Sequence, residues 1–345
     1  MTQTIGRYLI LALILSLGWA FPAAARQITD MAGRQVTVPE TIRKVYGTSP
    51  PATYMVYAMA PSMVAGLNFP FNPSEKQYLD PRMEKLPVLG GWFGQGRTAN
   101  LETLLQVHPD IVLIWMWQQS AINEKIEQAL KPLDIPVVYI VMDSLADYPA
   151  AFRFLGALFN LPTRAEALSS YAEQTIEEIS RVRAAIPAPE RVSVYYAEGA
   201  DGLSTECHNS VHAQLISLSG GKNVHQCEDR SSYGMQKISM EQVLQYDPQV
   251  IVYHETLFSN RLTVGPVWKN IRAVRDGRVY RIPRTPFNWF DRPPSFMRLL
   301  GIKWLTHRLY PRHYPLDMAA ETRRFYKLYL NVNLDAAATR KLLQP

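Results

Sequence analysis

The residue types able to do chemistry are concentrated in one stretch. Cys207, His208, His212, His225 and Cys227 lie within 21 residues, with Asp201 and Glu206 just upstream. Cys207 beside His208 suggests a thiol nucleophile and its base, with Glu206 or Asp201 as orienter. Two cysteines and three histidines also suggest a direct metal carrier, although their spacings match no common structural-zinc pattern. In that reading His208 and His212 form an i, i+4 pair on a helix running through Leu215. A third reading is a Cys207–Cys227 disulfide closing a short loop, which would silence the thiol. The chain has no nucleophile elbow, phosphate loop or dinucleotide fingerprint, so the sequence predicts a binding protein rather than an enzyme.

A second set of residues suits binding. GGWFGQGRT (residues 90–98) sets Trp92, Phe93 and Arg97 among glycines, and TPFNWFDRPPS (285–295) carries Phe287, Trp289, Phe290 and Arg292. Aromatic residues beside arginines suit a ligand that is flat and negatively charged. Each aromatic taken singly is equally well read as a core plug under a long loop.

These residues need elements to position them, and a repeat supplies the organisation. LETLLQVHPDIVLIW (101–115) and MEQVLQYDPQVIVYH (240–254) share one pattern: a short helix, a proline-marked turn and an apolar strand. Apolar strings of this length suit central parallel strands covered on both faces. The sequence therefore predicts an α/β protein with two parallel-sheet lobes: an N-terminal lobe over 26–160, a connecting helix within 161–188, and a C-terminal lobe over 189–345 ending in a helical extension. The connecting segment repeats Leu168, Tyr171, Ala172, Ile176, Ile179 and Val182 at helical spacing, opens with a Thr163/Glu166 capping-box pattern and stops at Pro187. One rigid rod between lobes predicts a small closing motion. Ligands of open parallel sheets bind outside the carboxyl ends of the strands. That rule selects Thr48 and Ser49, Trp115 and Trp117, Glu206 and His208, and His254, all lining a cleft between the lobes. His208, His254 and Tyr233 are the candidates to touch a metal carried in that cleft.

The first 25 residues stand apart. Arg7, an apolar run from Tyr8 to Leu17, and Ala23 and Ala25 read as a secretory signal cleaved before Arg26, with no cysteine there for a lipid anchor. The formal charge of +6 falls to +5 on its removal. Basic and acidic residues are interspersed, so nucleic acid is not predicted as a partner. The mature chain is expected to be soluble in a bacterial periplasm and monomeric.

Four segments resemble one family. TDMAGRQVTVPETIRKV (29–45), LETLLQVHPDIVLIW (101–115), LISLSGGKNV (215–224) and NWFDRPPSFMRLLGIKWL (288–305) resemble periplasmic binding proteins that deliver metal chelates to ABC-type importers. The resemblance implies a class III fold, two lobes on one helical backbone. It also implies ferric siderophores, haem or vitamin B12 as cargo, with vitamin B12 carriers similar around Trp289, Phe290 and Arg292. A ferric siderophore is the expected ligand, arriving with its own metal, so no intrinsic cofactor is expected. By this resemblance, Arg97, Arg230 and Arg292 are the arginines that would face catecholate or hydroxamate groups of a siderophore. The same resemblance implies an alternative, a small oxyanion such as molybdate, which would use Thr48, Ser49 and Arg97. The partners implied are an inner-membrane permease and its ATPase. Acidic residues on each lobe dock the permease in this family; Glu124 matches in the first lobe.

Overall fold

The computed structural model describes residues 25–92, 98–116, 121–227 and 234–344. The expected signal segment as far as residue 24, and the candidates Phe93, Arg97, Trp117, Arg230 and Tyr233, lie outside the described residues. After an antiparallel pair, β1 (Ala25–Thr29) and β2 (Gln35–Pro39), the chain forms β3 (Val45–Gly47), α1 (Pro50–Met59), α2 (Leu101–Val107), β4 (Ile111–Met116), α3 (Ala121–Leu130), β5 (Val137–Val141) and α4 (Tyr148–Phe159). The long α5 (Pro162–Ala185) follows, then β6 (Ser193–Ala197), β7 (Ser204–Thr205), β8 (Lys222–Asn223), β9 (Gln236–Lys237), α6 (Met240–Tyr246), β10 (Val250–Tyr253), α7 (Thr256–Val264) and β11 (Val279–Arg281). Three helices close the chain: α8 (Arg298–Leu309), α9 (Met318–Leu330) and α10 (Ala336–Leu343).

Two parallel sheets result, ordered β3-β4-β5 and β11-β10-β6-β8, one in each lobe. The repeated unit has one physical logic in both. Asn100 and Ser239 cap α2 and α6, accepting from the amides of Thr103 (3.0 Å) and Gln242 (3.2 Å). His108 and Asp247 then end those helices in the left-handed conformation, at φ 51° and 34°, one residue before Pro109 and Pro248 turn the chain into β4 and β10.

At 24 residues, α5 extends about 36 Å. Its start departs from the sequence expectation. Pro162 opens the helix behind Leu161, and no side chain caps it. Glu166 is taken by Arg153 (3.2 Å) and Ser170 (2.8 Å) instead. A ring already pre-set for the first turn needs no capping box.

One hydrophobic core runs through this helix. It joins Met55, Phe152 and Leu168 to Tyr196, Phe296 and Tyr329, while two smaller clusters cover the outer faces of the two sheets. Buried Lys303 of α8 pairs with Glu178 of α5 (2.6 Å) and with Glu321 of α9 (3.2 Å). Arg164 donates to the carbonyls of Ala58 in α1 (2.7 Å) and Leu328 in α9 (2.6 Å). Tyr326 stacks edge-on against Tyr78 of the first lobe, and Tyr329 donates to the carbonyl of Leu168 (2.9 Å). The C-terminal extension is therefore strapped across the rod and the first lobe, not only the second.

The closest packing lies where α8 meets the 285–295 loop. A Cβ on Gly301 would stand 1.7 Å from the Trp289 carbonyl oxygen, and a backbone atom can yield only if the loop moves. Gly301→Ala is expected to destabilise the protein by about 1–3 kcal/mol, read as a lower thermal midpoint with ligand absent; an unchanged midpoint would refute the contact.

Candidate functional site

The carboxyl ends of the second-lobe strands carry a polar cluster. Glu198 follows β6, Glu206 follows β7, and the 288–293 loop brings Asp291 and Arg292 to them. Arg292 donates Nε to Glu198 (2.6 Å) and Nη2 to Glu206, whose other oxygen accepts from Ser210 (2.8 Å). His212 pairs through Nδ1 with Asp291. The carboxylates have no exposed surface, whereas the side chains of Arg292 and His212 keep 26% and 16% of theirs. Both side chains thus keep part of their surface while their counter-charges are fully buried. Arg292 has φ 57°, a left-handed conformation rare outside glycine, and it persists where the surroundings over-determine it.

Electrostatics follow from this burial. Burial pushes the Glu198 carboxyl up to about 7, against the opposing pull of Arg292. Burial disfavours a charged His212, but the hydrogen bond and charge of Asp291 outweigh it and raise its pKa above the ordinary value. His254 moves the other way, lowered first by burial and then by Arg284.

In the first lobe, Thr48 and Ser49 follow β3 and are fully buried. Their hydroxyls have no hydrogen-bond partner among the described residues, and neither have Thr205 Oγ1 and Asp291 Oδ1 at the second-lobe strand ends. A buried polar atom without a partner costs about 1–3 kcal/mol, and such atoms also occur away from the strand ends, at Thr175, Ser219 and Trp304. The loop beneath is stitched to β3. Asn68 donates to the carbonyls of Gly47 and Gly90 (both 2.9 Å), Tyr46 to that of Gly90 (2.8 Å), and the Trp92 amide to that of Thr48 (3.1 Å). Trp92 stands half-buried, and Trp115, at the end of β4, donates its indole N–H to Met142 (3.2 Å).

Several expectations need correction. Phe287 stacks on Tyr54 at 3.8 Å, Trp289 is fully buried against Gly301 and Tyr326, and Phe290 packs on Tyr196 at 4.8 Å. All three are core residues, because the loop folds under the cleft and its apolar side chains join the shared core. Glu206 supports Arg292 and does not line the surface. Buried His254 faces Tyr196 through Nδ1 (3.2 Å) and Glu255 through Nε2 (3.3 Å), so both nitrogens are engaged within the protein. His208 turns its Nδ1 to the Cys227 amide (3.3 Å), in a different cluster from His254.

Cys207 and Cys227 form a disulfide, and Asp201 pairs with Lys237 at 3.0 Å, so the thiol constellation is not assembled. Sequence reading missed Glu198 and Asp291 and gave His212 a different role. Glu198 directly follows the apolar string VSVYYA, and that strand-end position was the available signal.

A testable consequence concerns Glu198. Its folded pKa near 7 exceeds the ordinary 4.5, so ionising it opposes folding. That penalty is absent below pH 4.5, grows as pH rises towards 7 and is complete above it. Glu198→Gln keeps an acceptor for Arg292 without the charge. Its stability relative to wild type is therefore expected to rise between pH 4.5 and 8, by on the order of 3 kcal/mol, in urea melts; a flat difference would show that Glu198 titrates normally.

Comparison with known proteins agrees with this architecture. A family model described as periplasmic binding protein matches residues 55–286. A vitamin B12-binding protein of Pectobacterium atrosepticum is 30% identical over 216 residues, 61% of this chain and 71% of that protein. The molybdate-binding protein MolA of Haemophilus influenzae is 24% identical over 93% of this chain and 95% of its own length. Among solved structures, an ABC transporter solute binding protein from Sulfurospirillum deleyianum superposes with a TM-score of 0.86 at 35% identity, covering 93% of this chain and 99% of that one. No helix among the described residues is long and apolar enough to cross a membrane. With two parallel-sheet lobes on one helical rod and a family match over most of its length, the chain belongs to the periplasmic binding proteins, the solute-capturing components of ABC-type importers.

Proposed function

We propose that this protein captures a metal chelate, a ferric siderophore, in the periplasm and hands it to an inner-membrane permease with its ATPase. The observation that carries this reading is Arg292, partly exposed at the carboxyl ends of the second-lobe strands and fixed by two buried carboxylates. A planar guanidinium held this way presents directional donors to catecholate or hydroxamate oxygens with little ordering cost left at binding. His212 stands at the same strand ends, paired with Asp291. Trp92 and Trp115 offer aromatic surface from the first lobe. The metal arrives inside its chelate, and the protein acts as a monomer without a cofactor of its own.

A second reading is a small oxyanion, favoured by the similarity to the molybdate-binding protein along nearly the whole chain and by the unpartnered hydroxyls of Thr48 and Ser49. Tryptophan fluorescence titrated with ferric siderophore mimics, vitamin B12, haem and molybdate separates the two. Saturable quenching by ferric chelates at micromolar concentration or below is expected; a response to molybdate alone would move the cargo to the oxyanion, and one to vitamin B12 or haem alone to those chelates. Arg292→Lys keeps the charge but cannot bridge Glu198 and Glu206, and should weaken the ligand by about tenfold or more; unchanged affinity would remove Arg292 from the site.

Exposed Glu124, in the first turn of α3, lines a surface groove of about 430 Å³ with Glu127, Gln128 and Lys131. It is the proposed first-lobe contact to the permease. Glu124→Lys should leave chelate affinity intact while abolishing uptake in cells; normal uptake would place docking elsewhere.

A further inference from the structure

Away from the strand ends that hold Arg292, three potential metal donors converge. One Sγ each from Cys207 and Cys227 and a ring nitrogen of His225 all lie within 4.8 Å of one another. In a tetrahedral site with metal–sulfur bonds of about 2.3 Å and metal–nitrogen bonds of about 2.0–2.1 Å, such donors stand roughly 3.5–3.8 Å apart. The two sulfurs, bonded to each other in the disulfide, stand closer than this and must part on reduction, whereas the imidazole already stands within reach of both. The side-chain amide of Gln236 reaches all of them: Oε1 is 2.7 Å from His225 Nε2 and 3.6 Å from Cys227 Sγ, and Nε2 is 3.9 Å from Cys207 Sγ. Tyr246 holds the other face of the imidazole, its hydroxyl 2.9 Å from Nδ1. That contact fixes the ring with Nε2 towards the sulfurs, as outer partners of ligating histidines do.

While the cysteines are joined, their sulfurs make poor ligands. We propose that reduction of the Cys207–Cys227 disulfide turns this cluster into a binding site for a thiophilic divalent cation such as zinc, with Cys207, Cys227 and His225 Nε2 as ligands and Gln236 Oε1 as the fourth. The reductant is a dithiol. It gives two electrons and two protons to the disulfide, producing two thiols, and closes to its own disulfide. The cation then displaces both thiol protons, and the imidazole proton passes from Nε2, where it faces Gln236 Oε1, to Nδ1, where the Tyr246 hydroxyl oxygen accepts it, leaving Nε2 free for the metal. Cys227 is partly exposed while Cys207 is buried, so the attacking thiolate meets Cys227 first. Reoxidation by a disulfide, which takes up the two electrons and leaves as a dithiol, re-forms the Cys207–Cys227 bond and expels the cation. Because Cys207 directly follows Glu206, which holds Arg292, this redox site borders the cargo site without sharing ligands with it, and the proposal stands whatever the cargo.

The test uses the full mature chain, reduced anaerobically, freed of dithiol and titrated with Co²⁺ as a coloured stand-in for zinc. One equivalent should bind with thiolate-to-cobalt charge-transfer absorption and the visible bands of a tetrahedral ion, and the oxidised protein should show neither. His225→Gln, which leaves the disulfide intact, should weaken Co²⁺ by more than about tenfold, and Cys227→Ser should abolish the two-thiolate spectrum. Circular dichroism of the reduced chain is read alongside. A folded reduced protein without charge-transfer bands would overturn the proposal, as would undiminished binding in His225→Gln or loss of the fold on reduction.

Discussion

The constraint on which everything else depends is that both lobes bury their inner faces in one core built on α5. A core shared in this way cannot be opened by a wide swing without exposing Tyr171, Phe296, Phe325 and Tyr329, which pack on each other at ring separations of 4.3–6.2 Å. Close-packed interiors shift between discrete arrangements rather than deform smoothly. The lobes are left with small relative motions. Gln214 shows how tightly they are tied: its side-chain oxygen accepts from the Leu145 amide of the first lobe (3.0 Å) and from Arg298 of α8 (3.1 Å). A binding protein whose lobes move little spends little ligand affinity on closure.

Within that frame the second-lobe strand ends solve an electrostatic problem. Three carboxylates without exposed surface would each cost several kcal/mol if left alone. Arg292 bridges Glu198 and Glu206, and His212 answers Asp291, while the elevated pKa of Glu198 relieves part of the remaining negative charge. The same pairings fix where the guanidinium and imidazole stand. Stability and recognition are thus one arrangement, since the carboxylates that the two cations neutralise are the groups that hold those cations in place.

Much of the fold was legible because it is written locally. The repeat displays its helix, left-handed cap, proline and strand in adjacent residues, and the period of α5 is carried by its own apolar positions. The site was legible only in part, because its pairings are not local. Arg292 meets Glu198 across 94 positions and His212 meets Asp291 across 79, so no window of sequence shows either contact. The aromatics of the 285–295 loop misled for a related reason. Beside arginine and proline they have the composition of a binding loop, but the fate of Phe287 is decided by Tyr54 and that of Trp289 by the missing side chain at Gly301. His254 stands at a strand end as expected, yet Tyr196 on the neighbouring strand and Glu255 beside it had already claimed its nitrogens.

The two copies of the helix-and-strand unit also explain how one architecture yields an asymmetric cleft. Each unit does no more than place the carboxyl end of a central strand, β4 or β10. The chemistry comes from the strand beside it in the sheet: β3 delivers the neutral hydroxyls of Thr48 and Ser49, and β6 delivers Glu198 and, through it, Arg292. The first-lobe strand end is thus neutral and hydroxyl-bearing, while the second-lobe strand end carries a fixed guanidinium. The duplicated scaffold can stay constant while the neighbouring strand ends diverge, since changing Thr48 or Glu198 disturbs neither the caps at Asn100 and Ser239 nor the turns at Pro109 and Pro248 that build the lobes.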